Sequence, residues 1–290
     1  MKVLLFGSTG KVGSELADRL PKDGHNVVAL TRKDGDLSNP FIADKLIELD
    51  NPEVVINATA FNGLEACAKE PELAFTINSA AVAHMAIACS KINALFIHLS
   101  TDYVFTGHPD KRRLTEEDPV KPCGIYGFTK RAGEEAALGF NSKTLVLRLS
   151  SIYGRTFSGP IDAIRQAKEG KGTQDNPILV LHQICCPTSA RVVADAIAKV
   201  LLKIAFLGRG DNLYGIYHLA TTEPVWKKRF SESILIQWSE FKSLYTVCEG
   251  TLPIARPIHT ALDSSKFISV FGYDLPTWRQ DFAATLPFIK

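Results

Sequence analysis

The chain has 290 residues, 46% of them hydrophobic and 22% charged, with a net charge of +2. This is the composition of a globular protein long enough for one large domain or two coupled ones, and its near-neutral charge supplies no basic field for nucleic acid. No apolar run reaches the roughly 18 residues of a membrane span, and the apolar start over residues 1–6 leads into a glycine loop rather than a signal-cleavage pattern, so a cytoplasmic protein with no membrane partner is expected. The six cysteines contain no C-x-x-C pair, which argues against a zinc knuckle. They are expected to stay reduced, with Cys123 and the vicinal Cys185 and Cys186 as small packing residues.

Residues 3–6 read as a short apolar strand running into Gly7-Ser8-Thr9-Gly10-Lys11-Val12-Gly13, followed by a helical pattern over 14–20. The spacing is G-x-x-G-x-x-G rather than the usual G-x-G-x-x-G of dinucleotide sites, but the physics is similar. Gly7 permits a sharp turn, Gly10 lets the backbone approach a pyrophosphate, Gly13 lets the helix pack on the strand, and the helix amino terminus faces the anion. A second strand over 26–30 ends in Leu30-Thr31-Arg32-Lys33, with no acid to bind the ribose hydroxyls of NAD. A basic pair there suits the extra phosphate of NADP, so NADP is the expected cofactor and NAD the alternative. Asp36 and Leu37 come next, then a helix over 39–49. A third strand over 54–58 ends in the small residues Ala58, Thr59 and Ala60, where a cofactor can pass close to the backbone. A long helical pattern over 72–91 contains Asn78.

The apolar run 94–99 reads as a buried parallel strand, and Thr101 falls just past its carboxyl end, where open α/β sheets bind their ligands. The charged, proline-bearing loop 107–123 reads as either a lid or a long connection. Tyr126 opens a helical pattern through Ala137, and Tyr126 and Lys130, four apart, share one face. A phenol titrates near about pH 10, and a lysine ammonium and a nicotinamide cation close by lower that value. Tyr126 then serves as a general acid toward an alkoxide, with the Thr101 hydroxyl on the carbonyl oxygen. A Y-x-x-x-K pair alone is a weak signal; the glycine loop gives it weight.

Further strands are expected over 144–149, 178–181 and 215–219, and helices over 189–202 and 231–238, with Asp263 a suitable cap for a short helix. The expected fold is α/β, a Rossmann-like doubly wound parallel sheet over 1–150 to which 184–218 returns. Residues 151–290 are expected to form mainly a smaller carboxyl-terminal substrate-binding lobe.

These motifs resemble the extended short-chain dehydrogenase/reductases and, within them, the dTDP-4-dehydrorhamnose reductase family. Ser100-Thr101-Asp102-Tyr103-Val104-Phe105, with Tyr126 and Lys130 behind it, carries the resemblance. So do Asn57-Ala58-Thr59-Ala60-Phe61, the run from Arg256-Pro257-Ile258-His259 to Asp263-Ser264-Ser265-Lys266, and Phe271-Gly272 through Trp278. The resemblance implies an NADPH-dependent reductase of a nucleotide-linked 4-keto-6-deoxy sugar. It places Thr101, Tyr126 and Lys130 in the catalytic positions. It places Gly7, Thr9, Gly10, Lys11, Val12, Asp36, Leu37, Ala58 and Ala60, together with Tyr126 and Lys130, around the cofactor, and Arg32, Thr59 and Asn78 are further expected cofactor contacts from the reading of the residues. Asp102, Tyr103 and Arg256 face the substrate. No metal set is traced, and a homodimer is left open. The chain departs from the family at Ser151, where tryptophan is common, at His182 through Thr188, where D-Q-x-G-x-P-T is expected, and at His259, where asparagine is usual. Another nucleotide-sugar reductase or epimerase is one alternative, although Tyr103 in place of a second acid argues against a dehydratase. A non-catalytic NADP-binding subunit, like the regulatory subunit of methionine adenosyltransferase, is another.

Overall fold

The computed structural model describes residues 1–107, 112–154, 183–207, 213–237 and 256–288, and the backbone of 178–180 and 247–249. Of the expected features, His182, Leu181, Trp238 and residues 108–111 of the charged loop lie outside the described residues.

The first half alternates strand and helix. β1 (Lys2–Phe6) leads through the glycine loop to α1 (Lys11–Arg19), and β2 (Asn26–Leu30) to α2 (Ile42–Asp50). β3 (Val54–Asn57) is followed by α3 (Leu64–Lys69), which the sequence reading did not anticipate. The expected helix over 72–91 is three segments: α4 (Pro71–Phe75), a wider π-helical turn Thr76–Ala80, and α5 (Ala81–Lys91). The irregular turn holds Asn78, in keeping with the tendency of such turns to mark functional regions. The whole stretch Pro71–Lys91 is long and apolar enough to cross a membrane by composition, which the run-length reading missed, but half of its apolar window is buried inside the fold.

β4 (Leu95–Thr101), α6 (Ile125–Phe140) and β5 (Thr144–Leu149) follow. Thr101 is the last residue of β4 rather than the first beyond it, because Ser100 and Thr101 go on pairing with Arg148 and Leu149 of β5. The short strands β6 (Ile152–Tyr153), β7 (Ile178–Val180), β8 (Ile184–Cys185) and β9 (Thr188–Ser189) precede α7 (Ala190–Leu207). Then come β10 (Gly215–Leu219), β11 (Val225–Trp226), α8 (Lys227–Gln237), β12 (Val247–Glu249), α9 (Ser265–Phe271) and α10 (Trp278–Thr285). The expected cap Asp263 lies one place outside: Ser264 caps α9 while Asp263 accepts from the Ser265 amide at 2.9 Å.

The main sheet has six strands in the order β10-β5-β4-β3-β1-β2, every neighbouring pair parallel. The order of strand addition reverses between β1 and β3, and at that switch point the carboxyl ends of doubly wound sheets open a crevice. Strands buried on both faces need apolar residues at odd and even positions alike. Leu4, Phe6, Val55, Phe96 and Val146 face one helical layer with α5. Val3, Leu5, Ile56, Ile97 and Leu147 face the other, formed by α1 and α7. The sheet is thus a slab closed on both sides, and its carboxyl edge is where polar residues collect.

The described part of the charged loop is a pinned connection, which removes the lid alternative for those residues. The Leu114 amide donates to the Ala261 carbonyl at 2.8 Å, and Asp263 donates back to Leu114 at 2.7 Å. Arg112 grips the Asp118 carboxylate and, as the leading cause, holds it well below the ordinary carboxylate range.

Candidate active site

A cavity of about 470 Å³ runs along the carboxyl edge of the sheet. Gly7, Thr9, Gly10, Lys11, Val12, Arg32, Asp36, Leu37, Ala58, Thr59 and Ala60 line one part of it, and Thr101, Asp102, Tyr103, Tyr126 and Lys130 another. Asn78 and Arg256 are expected site residues that do not line it.

At the first wall, β1 turns at Gly7 with φ +83°, and a Cβ there would sit 2.9 Å from the Ala58 carbonyl carbon, so only glycine fits. The turn delivers the chain to Gly10, the N-cap of α1, which has no side-chain cap hydrogen bond. The backbone amides of that helix start are therefore left for an anion. At the end of β2 the acid nearest in sequence, Asp34, is taken up by its own turn: its carboxylate accepts from the Thr31 amide and hydroxyl, both at 2.7 Å. Arg32 is the exposed cation left on the cavity wall. Asp36 is held below its usual range, chiefly by the Ser38 amide.

The second wall is fixed from behind. Gly127 sits so close under the Tyr103 carbonyl that a Cβ would come within 2.3 Å of that oxygen, and this brings the start of α6 against the end of β4. Ser100 donates to Glu134 at 2.6 Å, and Arg148 holds both Glu134 oxygens at 2.9 and 2.8 Å. Burial opposes ionisation of Glu134, but the Arg148 fork and the Ser100 hydroxyl win and keep its carboxyl below the usual range. This buried lattice ties β4, β5 and α6 together directly beneath Thr101 and Tyr126.

Tyr126 hydrogen-bonds Thr101, and its ring meets that of Tyr103 edge-on at 6.0 Å. Burial pushes the phenol up, the reverse of the expected lowering by Lys130, because in this structure the Lys130 Nζ is directed instead to the Leu99 carbonyl at 2.7 Å. Tyr126 therefore stands fully protonated at neutral pH, the form a general acid needs. Burial lowers the Lys130 ammonium to about 8, with Glu134 acting the other way. Thr101 Oγ1 accepts from the Tyr103 amide at 3.2 Å and donates to Asp102 at 3.3 Å. Thr101 thus links the Tyr126 hydroxyl to Asp102 and orients it.

Asp102 is almost fully buried, yet among the described residues no cation forms an ion pair with it. Hydroxyls enclose it: Thr101, then Ser150 at 2.8 Å and Thr260 at 2.7 Å. Burial raises its carboxyl, while Thr260, the charge of Lys227 and then Ser150 pull it back. Lys227, at the start of α8, also lines the cavity and was not singled out from sequence; it lies between the Tyr126/Lys130 stretch and the Arg256 motif and belongs to neither. The pair Cys185 and Cys186 is buried behind this wall, where burial pushes the Cys185 thiol up to about 11, so both serve as small packing groups.

Asn78 is a strut. Its side chain accepts from the Phe61 amide at 2.8 Å and donates to the Phe61 carbonyl and to Thr129, each at 3.0 Å, clamping the loop after β3 to α6. With those bonds made it presents nothing to the cavity. Arg256 is drawn away from the substrate side by Glu65 of α3, 2.8 Å from its Nη2. The unforeseen helix α3 supplied the acid that no local reading paired with it.

Comparison with known proteins bears on the whole chain. The family described as RmlD substrate binding domain matches residues 1–288. A dTDP-4-dehydrorhamnose reductase of Escherichia coli (strain K12) is 32% identical over 295 residues, covering 96% of this chain and 95% of its own. Among solved structures, a dTDP-4-dehydrorhamnose reductase of Clostridium acetobutylicum superposes with a TM-score of 0.85 at 26% identity, covering 99% of both chains. A second, from Bacillus anthracis and solved in complex with NADP, superposes at 0.84 with 23% identity, covering 99% of this chain and 98% of that one, a likeness of fold.

Proposed function

The chain belongs to the dTDP-4-dehydrorhamnose reductase family, and on that footing we propose that it reduces the 4-keto group of dTDP-4-dehydrorhamnose with NADPH to give dTDP-L-rhamnose. The observation that carries this reading is a protonated Tyr126, oriented by Thr101 and sharing a helix face with Lys130, at one end of a cavity whose other end is an uncapped helix start.

The glycine-loop wall fits a pyridine dinucleotide: the amino-terminal turn of α1 for its diphosphate, small residues at Ala58 and Ala60, and Arg32 for a 2′-phosphate. Such a cofactor, when bound, supplies the hydride. The chain supplies the proton: Tyr126 Oη–H breaks toward the substrate's O4, and the resulting phenolate is stabilised by Lys130 on the same face. Thr101 fixes the direction of that hydroxyl, and Asp102, locked by its hydroxyls, fixes Thr101. Lys227 lines the cavity with Asp102 and Tyr103 and its charge acts on Asp102, so a nucleoside diphosphate there would meet a cation. Ser151, where the family often carries tryptophan, lines the same cavity.

NADPH oxidation with dTDP-4-dehydrorhamnose tests the proposal. Tyr126→Phe should keep NADPH binding and lower turnover by at least about a hundredfold, the usual scale of general acid catalysis. Turnover within a few-fold of the parent would remove Tyr126 from the mechanism. A non-catalytic subunit would bind NADPH and leave every keto-sugar unreduced.

A further inference from the structure

His98, a fully buried and titratable residue of β4, touches Lys130 and has no part in the steps above. It faces Asn57 across the β3–β4 register, so their side chains leave the sheet on the same side. The direction of each hydrogen bond here follows from the one before it. The Thr59 amide donates to Asn57 Oδ1 at 3.0 Å. A backbone N–H has only a donor to offer, so the atom it meets is the carbonyl oxygen of Asn57. The Asn57 amide nitrogen is then the group 3.2 Å from His98 Nδ1. An amide NH₂ likewise only donates, so Nδ1 is the acceptor. Burial keeps the imidazole neutral, and its one proton therefore sits on Nε2.

That Nε2–H points at Lys130 Nζ, 3.3 Å away. An ammonium has three donors and no acceptor, so it would oppose N–H to N–H. A free amine accepts the histidine proton and still donates to the Leu99 carbonyl at 2.7 Å.

We propose that His98 is a positioning residue which favours the free-amine form of Lys130 over its ammonium, so that binding of a pyridine dinucleotide draws a proton onto Lys130. The proposal rests on the dinucleotide reading of the cavity. A dinucleotide brings hydroxyl oxygens that accept from an ammonium and phosphates that attract it, which reverses the preference His98 imposes. The other groups facing Lys130 do not replace this device. Glu134, one turn along its own helix, is committed to Arg148 and Arg131; Tyr126 is neutral; Asp102 is enclosed by hydroxyls. With burial lowering Lys130 to about 8, the amine predominates above that pH, and it is there that binding takes up the proton.

Two nearly isosteric variants reverse the proton's direction. In Asn57→Asp both oxygens accept, the Thr59 amide stays satisfied, and the imidazole proton moves to Nδ1, leaving the Nε2 lone pair toward Lys130. His98→Gln can turn an amide oxygen to the lysine. NADPH affinity is measured by titration between about pH 7 and pH 9.5 for the parent and both variants. The parent's affinity should fall as pH rises through about 8. In the variants the fall should begin roughly one unit higher, so that near pH 9 they bind NADPH up to about tenfold more tightly than the parent. Coincident curves, or a parent curve flat across the range, overturn the proposal. In parent protein with ¹⁵N-labelled histidine, His98, identified by loss of its signals in His98→Gln, should show the Nε2–H tautomer without any ligand; an Nδ1–H tautomer overturns it even if a variant fails to fold. Absence of NADPH binding at every pH would instead overturn the dinucleotide reading, and the histidine spectrum still decides the tautomer.

Discussion

The two walls of the cavity are built on different physics. The wall at the ends of β1, β2 and β3 is backbone and small side chains, held by contacts within its own turns: Gly10 to Gly7 at 3.0 Å, Thr31 to Asp34 at 2.7 Å, Thr59 to Asn57 at 3.0 Å. The wall that carries Thr101, Tyr126 and Lys130 is backed by buried polar contacts between residues far apart in the chain, from Arg148 with Glu134 to Thr260 with Asp102. The difference matches the tasks. A surface that receives a large polyanion offers amides and a cation and stays open. A phenol that must deliver a proton to one atom has to be immobilised, and a satisfied polar network in a low-dielectric interior over-determines its position. If this contrast is right, the second wall fails steeply when one buried member is removed, whereas the first loses only the contact deleted.

The steepest break is Glu134→Gln. Arg148 is fully buried, and its partner's charge would vanish while its own remained. Breaking a buried pair from one side costs about 3–5 kcal/mol, while replacing both partners by apolar residues of similar volume is often near neutral. Chemical denaturation should show that loss in Glu134→Gln and recovery of most of it in Glu134→Leu combined with Arg148→Met. A single-variant loss below about 1 kcal/mol, the scale of an exposed pair, would mean that the second wall does not depend on this lattice.

The same contrast decides what the sequence reveals. The first wall was legible because its parts are short-range: a glycine at positive φ, a helix start and small residues at a strand end each leave a local signature. Tyr126 and Lys130 were legible because four-residue spacing on a helix is local too. What orients them was not. Asn57 and His98 meet only through the β3–β4 register, Ser150 and Thr260 converge on Asp102 from two other elements, and Lys227 arrives from a helix start that carries no motif. Asn78 was picked by its place in a helical pattern; the π turn that points it at Phe61 and Thr129 is a departure from that pattern.

A milder effect is expected at the first wall. Arg32 is exposed and free of the acid in its own turn, because Asp34 is engaged by Thr31. Arg32→Ala should weaken NADPH by roughly 1.5–3 kcal/mol, the worth of a hydrogen bond to a charged group, and leave NADH unchanged. Titration of both cofactors reads the difference directly. Equal losses would place Arg32 on something the two share, and the preference for the 2′-phosphate would have to come from elsewhere on that wall.

The smallest effect should come from Arg256, which belongs to neither wall. Its motif suggested a guanidinium for the substrate's diphosphate, but its Nη2 lies 2.8 Å from Glu65, whose side chain is half exposed. An ion pair in water gains little, since solvent screens the attraction and two long side chains lose freedom, so its worth is about 0.2–1 kcal/mol. Arg256→Ala should therefore lower stability by no more than that and leave the Michaelis constants for NADPH and for the keto-sugar within about twofold of the parent, whereas Lys227→Ala should raise the keto-sugar constant alone. Glu65→Gln sharpens the point: it frees the guanidinium without deleting it. If Arg256→Ala raises the keto-sugar constant tenfold and Glu65→Gln lowers it, then Glu65 is a parking place from which Arg256 swings to the substrate, and the second wall has a moving part that the Glu65 pair holds outside the cavity.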